Sequence, residues 1–570
     1  MSLTHLLLRF VLGRRLPITA GELRIRGPKE PITIRRDKFG IPHIDATSEA
    51  DGMFALGFCQ AQDRAGQLEF LKRVAVGRLA EWVGPDGLIA DRLSRRIGFR
   101  RYAEIQVAAL DNRVREQLTA FAAGISNGNI SGLSSKPHEF AILGGDPTPW
   151  DAADVLAVLK LQSFLLPSNW DVELARLRIL LADGPQALLD LDPLSAFGKE
   201  SGKTYKLPLG DELASTPLPT TSIAPAIAAL MSDLAAFQSY LSRGGGSNNW
   251  VITGNRTQSG KPILASDPHL APSVPPPWYL SHIRTPEWEA TGASLTGTPG
   301  FAIGHNGFAA WGVTAGLTDN TDIFLETMGS DGKSVREMDG TFAPCELIRE
   351  TIAVKGQSDV IEETLITPRG PLLSPLLKGI PHAVSLRAVW LNPLPVDGFL
   401  GSPRAKSFEE FRGYFDRWPL LPLNILYADT DGTTGWFLIG QLPKRAGGNG
   451  LIPRPADHPN TGWTGLVTFD EMPFVKNPES GYFTTANNEP FQTDPNNPWL
   501  GADYCDHYRV RAILDALASR DGWTVEDCLA LQRDVRSIPW EEVRAIVLSL
   551  ESPNQNTQEA LDLLRAWDGQ

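Results

Sequence analysis

The sequence predicts an α+β protein, and three observations carry that prediction. Helical spacing dominates residues 48–83, 102–126 and 152–183; strand alternation dominates from Trp250 to Met328 and again from Ile425 to Ile439; a proline-rich stretch, 205–246, separates the two textures. Helices, spacer, sheet and helices in that order fit α+β better than a regular βαβ alternation. A chain of 570 residues is too long for one hydrophobic core and implies roughly two to four domains or one large multilayer unit. With 42% hydrophobic and 21% charged residues it has the composition of a folded globular protein. Its net charge of −13 disfavours a nucleic-acid or anionic-membrane surface, because both recruit clustered Lys and Arg.

Taken in order, Ile32-Thr33-Ile34-Arg35-Arg36-Asp37 alternates as a strand, and Lys38 to Pro42 turns out of it. From Ser48 to Val83 apolar residues recur at helical spacing, with Gln62, Asp63, Arg64, Gln67 and Glu69 on the polar side. Asp63 and Arg64 read as an ion pair. The helical segment 152–183 is broken at Leu166-Pro167-Ser168-Asn169, with Glu173 just beyond the break. Residues 205–246 hold Pro208, Pro217, Pro219 and Pro225 and one helical pattern from Ile227 to Leu241, the composition of a linker or removable spacer. The chain thus divides into 1–204, mostly helical with an N-terminal strand; 205–246, the spacer; and 247–570, strand-rich and then helical again from Tyr508.

Within the last region, Trp250 to Thr253 and Pro262 to Ala265 read as a hairpin. Phe301 to Ile303 and Phe308 to Val313 flank Gly304-His305-Asn306-Gly307, where Asn-Gly is a strong hairpin signal. Asp322 to Met328 follows as a strand. Asp429-Thr430-Asp431-Gly432 resembles the start of a calcium loop but lacks the distal glutamate, so it reads as a hairpin turn. Four scattered cysteines offer neither a disulfide framework nor a zinc site. Arg9 interrupts the N-terminal apolar run, which leaves no clear secretory leader, and no later stretch reaches the length of a membrane span.

Several chemistries drop out. Gly198-Lys199-Glu200-Ser201-Gly202-Lys203-Thr204 is one residue short of a phosphate-binding loop, and Pro208 interrupts the helix it needs. Gly-x-Ser-x-Gly and His-Glu-x-x-His are absent. Fifteen tryptophans would suit a sugar cleft, although scattered tryptophans are more often core. What remains is Gly244-Gly245-Gly246-Ser247. By itself it reads as a flexible loop entering a strand. If the bond before Ser247 is cut, however, the new terminus supplies an amine of pKa about 7.7–8.0 beside a hydroxyl. Such an amine serves as general base without a separate histidine.

The company of this stretch is specific. Residues 35–44, Ala61-Gln62-Asp63-Arg64, Gly77-Arg78-Leu79-Ala80-Glu81, Gly246-Ser247-Asn248-Asn249-Trp250, Gly304-His305-Asn306-Gly307 with Trp311-Gly312, and Ala486-Asn487-Asn488 together resemble the penicillin acylase family. The resemblance runs from about residue 20 to the end of the sequence. It implies the four-layer αββα N-terminal-nucleophile hydrolase fold, here resembling a C-terminally truncated form. It also implies a zymogen cut between Gly246 and Ser247 into an α/β heterodimer, periplasmic in most relatives, that hydrolyses a small-molecule amide without a catalytic cofactor.

Residue by residue, the resemblance makes Ser247 the nucleophile, and the Ala315 N–H with the Asn487 side-chain amide an oxyanion hole. Arg509 orients that asparagine. His269 falls where penicillin G acylases carry glutamine and where cephalosporin and acyl-homoserine lactone acylases carry histidine. The acyl pocket is implied at Leu270, Ala302, Ile303, Val313 and Leu317, all aliphatic, which disfavours a charged acyl group. A structural Ca2+ is implied at Glu173, Asp319, the Thr321 carbonyl and Asp322, with Asp503 a looser candidate. The expectation is an acylase of β-lactam side-chain amides; an acyl-homoserine lactone acylase, a non-maturing binding homologue and a Trp-rich carbohydrate enzyme are the alternatives.

Overall fold

The computed structural model describes residues 13, 15–166, 169–191, 208–216, 221–241, 245–377, 379–490, 498–552 and 554–569. The 198–204 stretch, Pro167, Ser168 and Gly244 lie outside them.

The α+β expectation is met. The N-terminal part is helical: α1 (Glu49–Val76), α2 (Leu88–Ile97), α3 (Phe99–Ala109), α4 (Asn112–Ser131), α5 (Ala152–Leu165), α6 (Trp170–Asp190) and α7 (Ala224–Gln238). The Ser48 side chain caps α1 by accepting from the Asp51 N–H, and Gly77, left-handed at φ 67°, ends it. The predicted helix to Val83 therefore stops early, with Ala80–Val83 a separate turn. α1 and α4 touch backbone to backbone. A Cβ on Gly57 would lie 2.1 Å from the Phe121 carbonyl oxygen, and one on Gly124 would lie 1.9 Å from that of Phe54.

The predicted polar side of α1 is partly wrong. Gln62 and Glu69 are buried; Gln62 donates to the Ile18 carbonyl, and Glu69 accepts from Arg73 at 2.6 Å. Asp63 pairs with Arg36 at 2.7 Å and accepts from the Tyr279 hydroxyl at 2.7 Å, rather than pairing with Arg64. Successive residues on a helix project about 100° apart and do not face each other.

The strands begin with β1 (Thr33–Arg36) and β2 (Pro42–Asp45), the latter missed because a tight turn hides it. Then come β3 (Gly246–Ile252), β4 (Ile263–His269), β5 (Trp278–Arg284), β6 (Glu289–Leu295), β7 (Ile303–His305), β8 (Ala309–Ala315) and β9 (Thr321–Thr327). After these follow β10 (Leu423–Asp429), β11 (Thr434–Ile439), β12 (Phe474–Lys476) and β13 (Tyr482–Thr485). A nine-stranded sheet runs β1-β2-β5-β6-β7-β8-β10-β11-β12. Its one parallel pairing, β2 with β5, ties the N-terminal segment to strands beyond Ser247. A three-stranded sheet runs β13-β3-β4. The three predicted hairpins are all antiparallel pairs: β3 with β4, β7 with β8, and β10 with β11.

Helix α1 packs on β2 and β5 of the large sheet, β3 and β4 pack on β8 and β10, and α8 (Tyr508–Ala518) and α9 (Val525–Gln532) pack behind β13 and β4. Alternation along β3 follows from this. Val251 faces the large sheet with Leu426 and Trp436, whereas Trp250 and Ile252 join Val510, Ile513 and Leu517 on the helix side.

Candidate active site

Ser247 sits one residue inside β3, 5% exposed, with Pro268 of β4 opposite. By the same alternation it shares the large-sheet face with Asn249 and Val251, and Asn248 takes the helix face. Its main-chain N–H donates to Asn487 Oδ1 at 2.6 Å. Asn487 follows β13 and adopts φ 64°, a left-handed backbone that asparagine tolerates. The Cys505 N–H holds its carbonyl at 2.9 Å.

Arg509, in the first turn of α8, donates to the Ser247 carbonyl and to Asn248 Oδ1, both at 2.8 Å, and to Asn487 Oδ1 at 3.2 Å. Two donors converging on Oδ1 fix the amide's orientation, so Nδ2 faces the Ala315 carbonyl at 3.1 Å. Ala315, the last residue of β8, thus meets Asn487 through its C=O in this state. Sequence reading missed the buried polar chain beneath. Trp436 donates to Asn424, and Asn424 donates to the Thr314 hydroxyl; that hydroxyl bonds Thr485, which donates to Asn249. These bonds join the two sheets directly under Ser247.

His269 lies across from Gly246 in the β3–β4 register. Its Nδ1 is 3.1 Å from the Asp267 carbonyl oxygen. A Cβ on Gly246 would lie 2.8 Å from His269 Nε2 and 3.1 Å from Arg509. A side chain at position 246 would therefore have to displace the His269 ring or the Arg509 guanidinium.

A cavity of about 320 Å³ opens at Ser247, with Gly246, Ala315 and Asn487 in its wall. Leu270, Ala302, Val313 and Leu317 line it as expected, and Leu118, Leu159, Phe399 and Trp418 are further apolar lining. Ile303 is a correction. It is not in the wall; it begins β7, next to the wall residue Ala302, and is half-buried against the main core. Asp171 and Asp503 are the charged residues of the lining.

The expected metal ligands assemble. Glu173 (α6), Asp319 and Asp322 are buried and bring carboxylate oxygens within 4.8 Å of one another, with Thr321 between the two aspartates in the chain. Glu173 Oε2 accepts from the Ile323 N–H at 3.1 Å, while its Oε1 and Asp319 Oδ2 are buried without a hydrogen bond. Burial raises the Glu173 carboxyl well above its ordinary range, and repulsion from Asp322 and Asp319 adds to it. Arg445, unforeseen, bonds Asp319 at 2.7 Å and Asp322 at 3.0 Å. Asp503 pairs instead with Arg176. An oxygen-only donor set with two orphaned buried oxygens fits a hard cation.

The sequence profile of the Penicillin amidase family matches residues 31–570. The chain belongs to the penicillin amidase family. It is a hydrolase of the class acting on linear amide bonds. Penicillin acylase 2 proenzyme of Pseudomonas sp. (strain SE83) is 32% identical over 566 residues, covering 98% of this chain and 72% of that protein. Acyl-homoserine lactone acylase QuiP of Pseudomonas aeruginosa is 30% identical, covering 97% of this chain and 68% of that protein. Penicillin G acylase of Escherichia coli is 26% identical, covering 94% and 69%. Among solved structures, a thermostable penicillin G acylase from Alcaligenes faecalis aligns over 56% of this chain and 59% of that one, with 23% identity and TM-score 0.48. Among the described residues no helix is long and apolar enough to cross a membrane.

Proposed function

We propose that this chain is an acylase that cuts itself between Gly246 and Ser247 and then hydrolyses an acyl amide with Ser247 as an N-terminal nucleophile. The observation that carries the reading is the Ser247 main-chain nitrogen held by Asn487 at the mouth of an apolar cavity. In the cut, the Ser247 hydroxyl adds to the Gly246 carbonyl carbon. Collapse breaks the C–N bond to give an ester and a free α-amine, and water then releases the Gly246 carboxylate. Gly246 allows the close approach this step needs, with His269 and Arg509 against it.

In turnover the α-amine takes the hydroxyl proton as Ser247 attacks the substrate carbonyl. Asn487 Nδ2 carries two hydrogens, and one already reaches the Ala315 carbonyl, leaving the other for the developing oxyanion. The Ala315 N–H is the second donor of this reading. The protonated amine then gives its proton to the leaving nitrogen, and water resolves the acyl-enzyme. His269 flanks the nucleophile from β4, and Arg509 holds the asparagine.

The largely apolar wall, aliphatic with Phe399 and Trp418, suits an uncharged acyl group, fatty or arylacetyl, and it does so for a β-lactam side-chain amide and for an acyl-homoserine lactone alike. The packing order of helices, large sheet, small sheet and helices supports the αββα assembly, with the two pieces remaining together as a heterodimer. Glu173, Asp319, Asp322 and the Thr321 carbonyl would hold a structural Ca2+, which supplies charge neutralisation and no catalytic step.

Intact-mass and N-terminal analysis of purified protein beside Ser247→Ala tests the cut. Two fragments with a free Ser247 terminus are expected for wild type, and one 62.2 kDa chain for the variant. An uncut wild type would leave the binding-homologue reading standing. A panel of phenylacetyl, glutaryl and long-chain acyl amides, on both β-lactam and homoserine lactone amines, then reads the substrate, with glutaryl expected to be poorest.

A further inference from the structure

We infer that helix α7 (Ala224–Gln238) stays in the mature enzyme, so that the α chain extends past Gln238 instead of ending before a discarded 205–246 spacer. The inference rests on the cleavage reading above and deepens it. Composition alone marks 205–246 as removable, but the packing of α7 opposes that. Ala226, Ile227, Leu230, Leu234 and Phe237 are 0–2% exposed. They belong to the main core together with Phe164, Trp170 and Trp390. A segment shed without harm lies on the surface; these five side chains would leave an apolar trench through the helical half.

The trench would open behind the active-site cavity. Phe237 meets Phe164 edge to face at 6.1 Å, and Phe164 stacks on Trp170 at 4.4 Å. Trp170 donates to the Phe164 carbonyl at 2.8 Å, and Leu165 and Leu166, the next two residues, line the cavity. α7 therefore backs the end of α5 that forms part of the acyl wall. It also supplies Asp233, paired at 2.6 Å with the buried Arg96. Upstream, Glu212 accepts from the Asn449 N–H at 2.9 Å, which ties the same stretch to the region beyond Ser247.

Mass spectrometry of the purified mature enzyme under native and denaturing conditions tests this directly. The expected result is a Ser247-initiated chain with an α chain that includes residues 224–238. A cut enzyme lacking residues 224–238, both covalently and as a bound peptide, overturns the inference and leaves the acylase reading intact; an uncut chain overturns both. Leu230→Ala and Phe237→Ala give a second reading from the melting temperature of cut, purified enzyme. A drop of several degrees is expected for each. A discarded helix would leave that temperature unchanged, and such a result also overturns the inference.

Discussion

Asn487 is asked for two things at once: an acceptor for the Ser247 nitrogen at 2.6 Å and a donor at Nδ2. Alanine supplies neither. Asn487→Ala is therefore expected to slow maturation and, in whatever protein is cut, to lower kcat by roughly 10²–10³ with a much smaller change in KM. Single-turnover kinetics on the cut fraction measures it, and wild-type maturation and turnover would remove Asn487 from the site. The residue is legible in the sequence only through the Ala486-Asn487-Asn488 motif. The hydroxyl and amide groups that seat it are not, because Thr314, Asn424 and Trp436 meet through strand pairing across distant parts of the chain, and Thr314 reaches Thr485 only through the packing of one sheet on the other. Arg445 is hidden for the same reason, being 123 residues from Asp322 in the chain.

At the level of strands, period-2 alternation and Asn-Gly chemistry located the hairpins around the site, and these are the local signals that turn geometry fixes. The face each side chain takes is less legible, since a one-residue error in phase inverts it. Ala302 and Ile303 show the consequence. Both are half-buried against the main core, but only Ala302 also lines the cavity. Ala302→Phe is expected to shorten the accepted acyl chain, lowering kcat/KM on the longest substrates by roughly tenfold or more while sparing short ones. Ile303→Phe should instead cost stability by overpacking, typically about 1–3 kcal/mol, without changing the order of preference. Equal chain-length profiles for Ala302→Phe and wild type would show that the acyl group lies elsewhere.

On the scale of the whole molecule, two buried charges report on how the helical half and the strand half are held together. Lys160, fully buried in α5, donates to the Trp390 carbonyl at 2.5 Å, and burial pushes its ammonium down to about 7. A depressed folded value means that stability is full above the unfolded value of about 10.4 and is lost as pH falls toward 7. Lys160→Met should flatten that dependence, raising stability at pH 7 relative to pH 10 by at most about 5 kcal/mol, as chemical denaturation at the two pH values would read. Glu173 lies before the Gly246–Ser247 bond, and Asp319 and Asp322 lie after it, so a cation bound by all three would couple the two pieces once the chain is cut. Ca2+ at about a hundred times its Kd would stabilise the cut protein by about 2.7 kcal/mol and raise its melting temperature by about 2 °C. Glu173→Gln should remove most of that rise. Arg445 argues for a modest affinity, because its guanidinium already neutralises part of the carboxylate charge at Asp319 and Asp322. A melting temperature unmoved by millimolar Ca2+ or by EDTA would assign the joint to Arg445 alone, with the carboxylates serving as its partners.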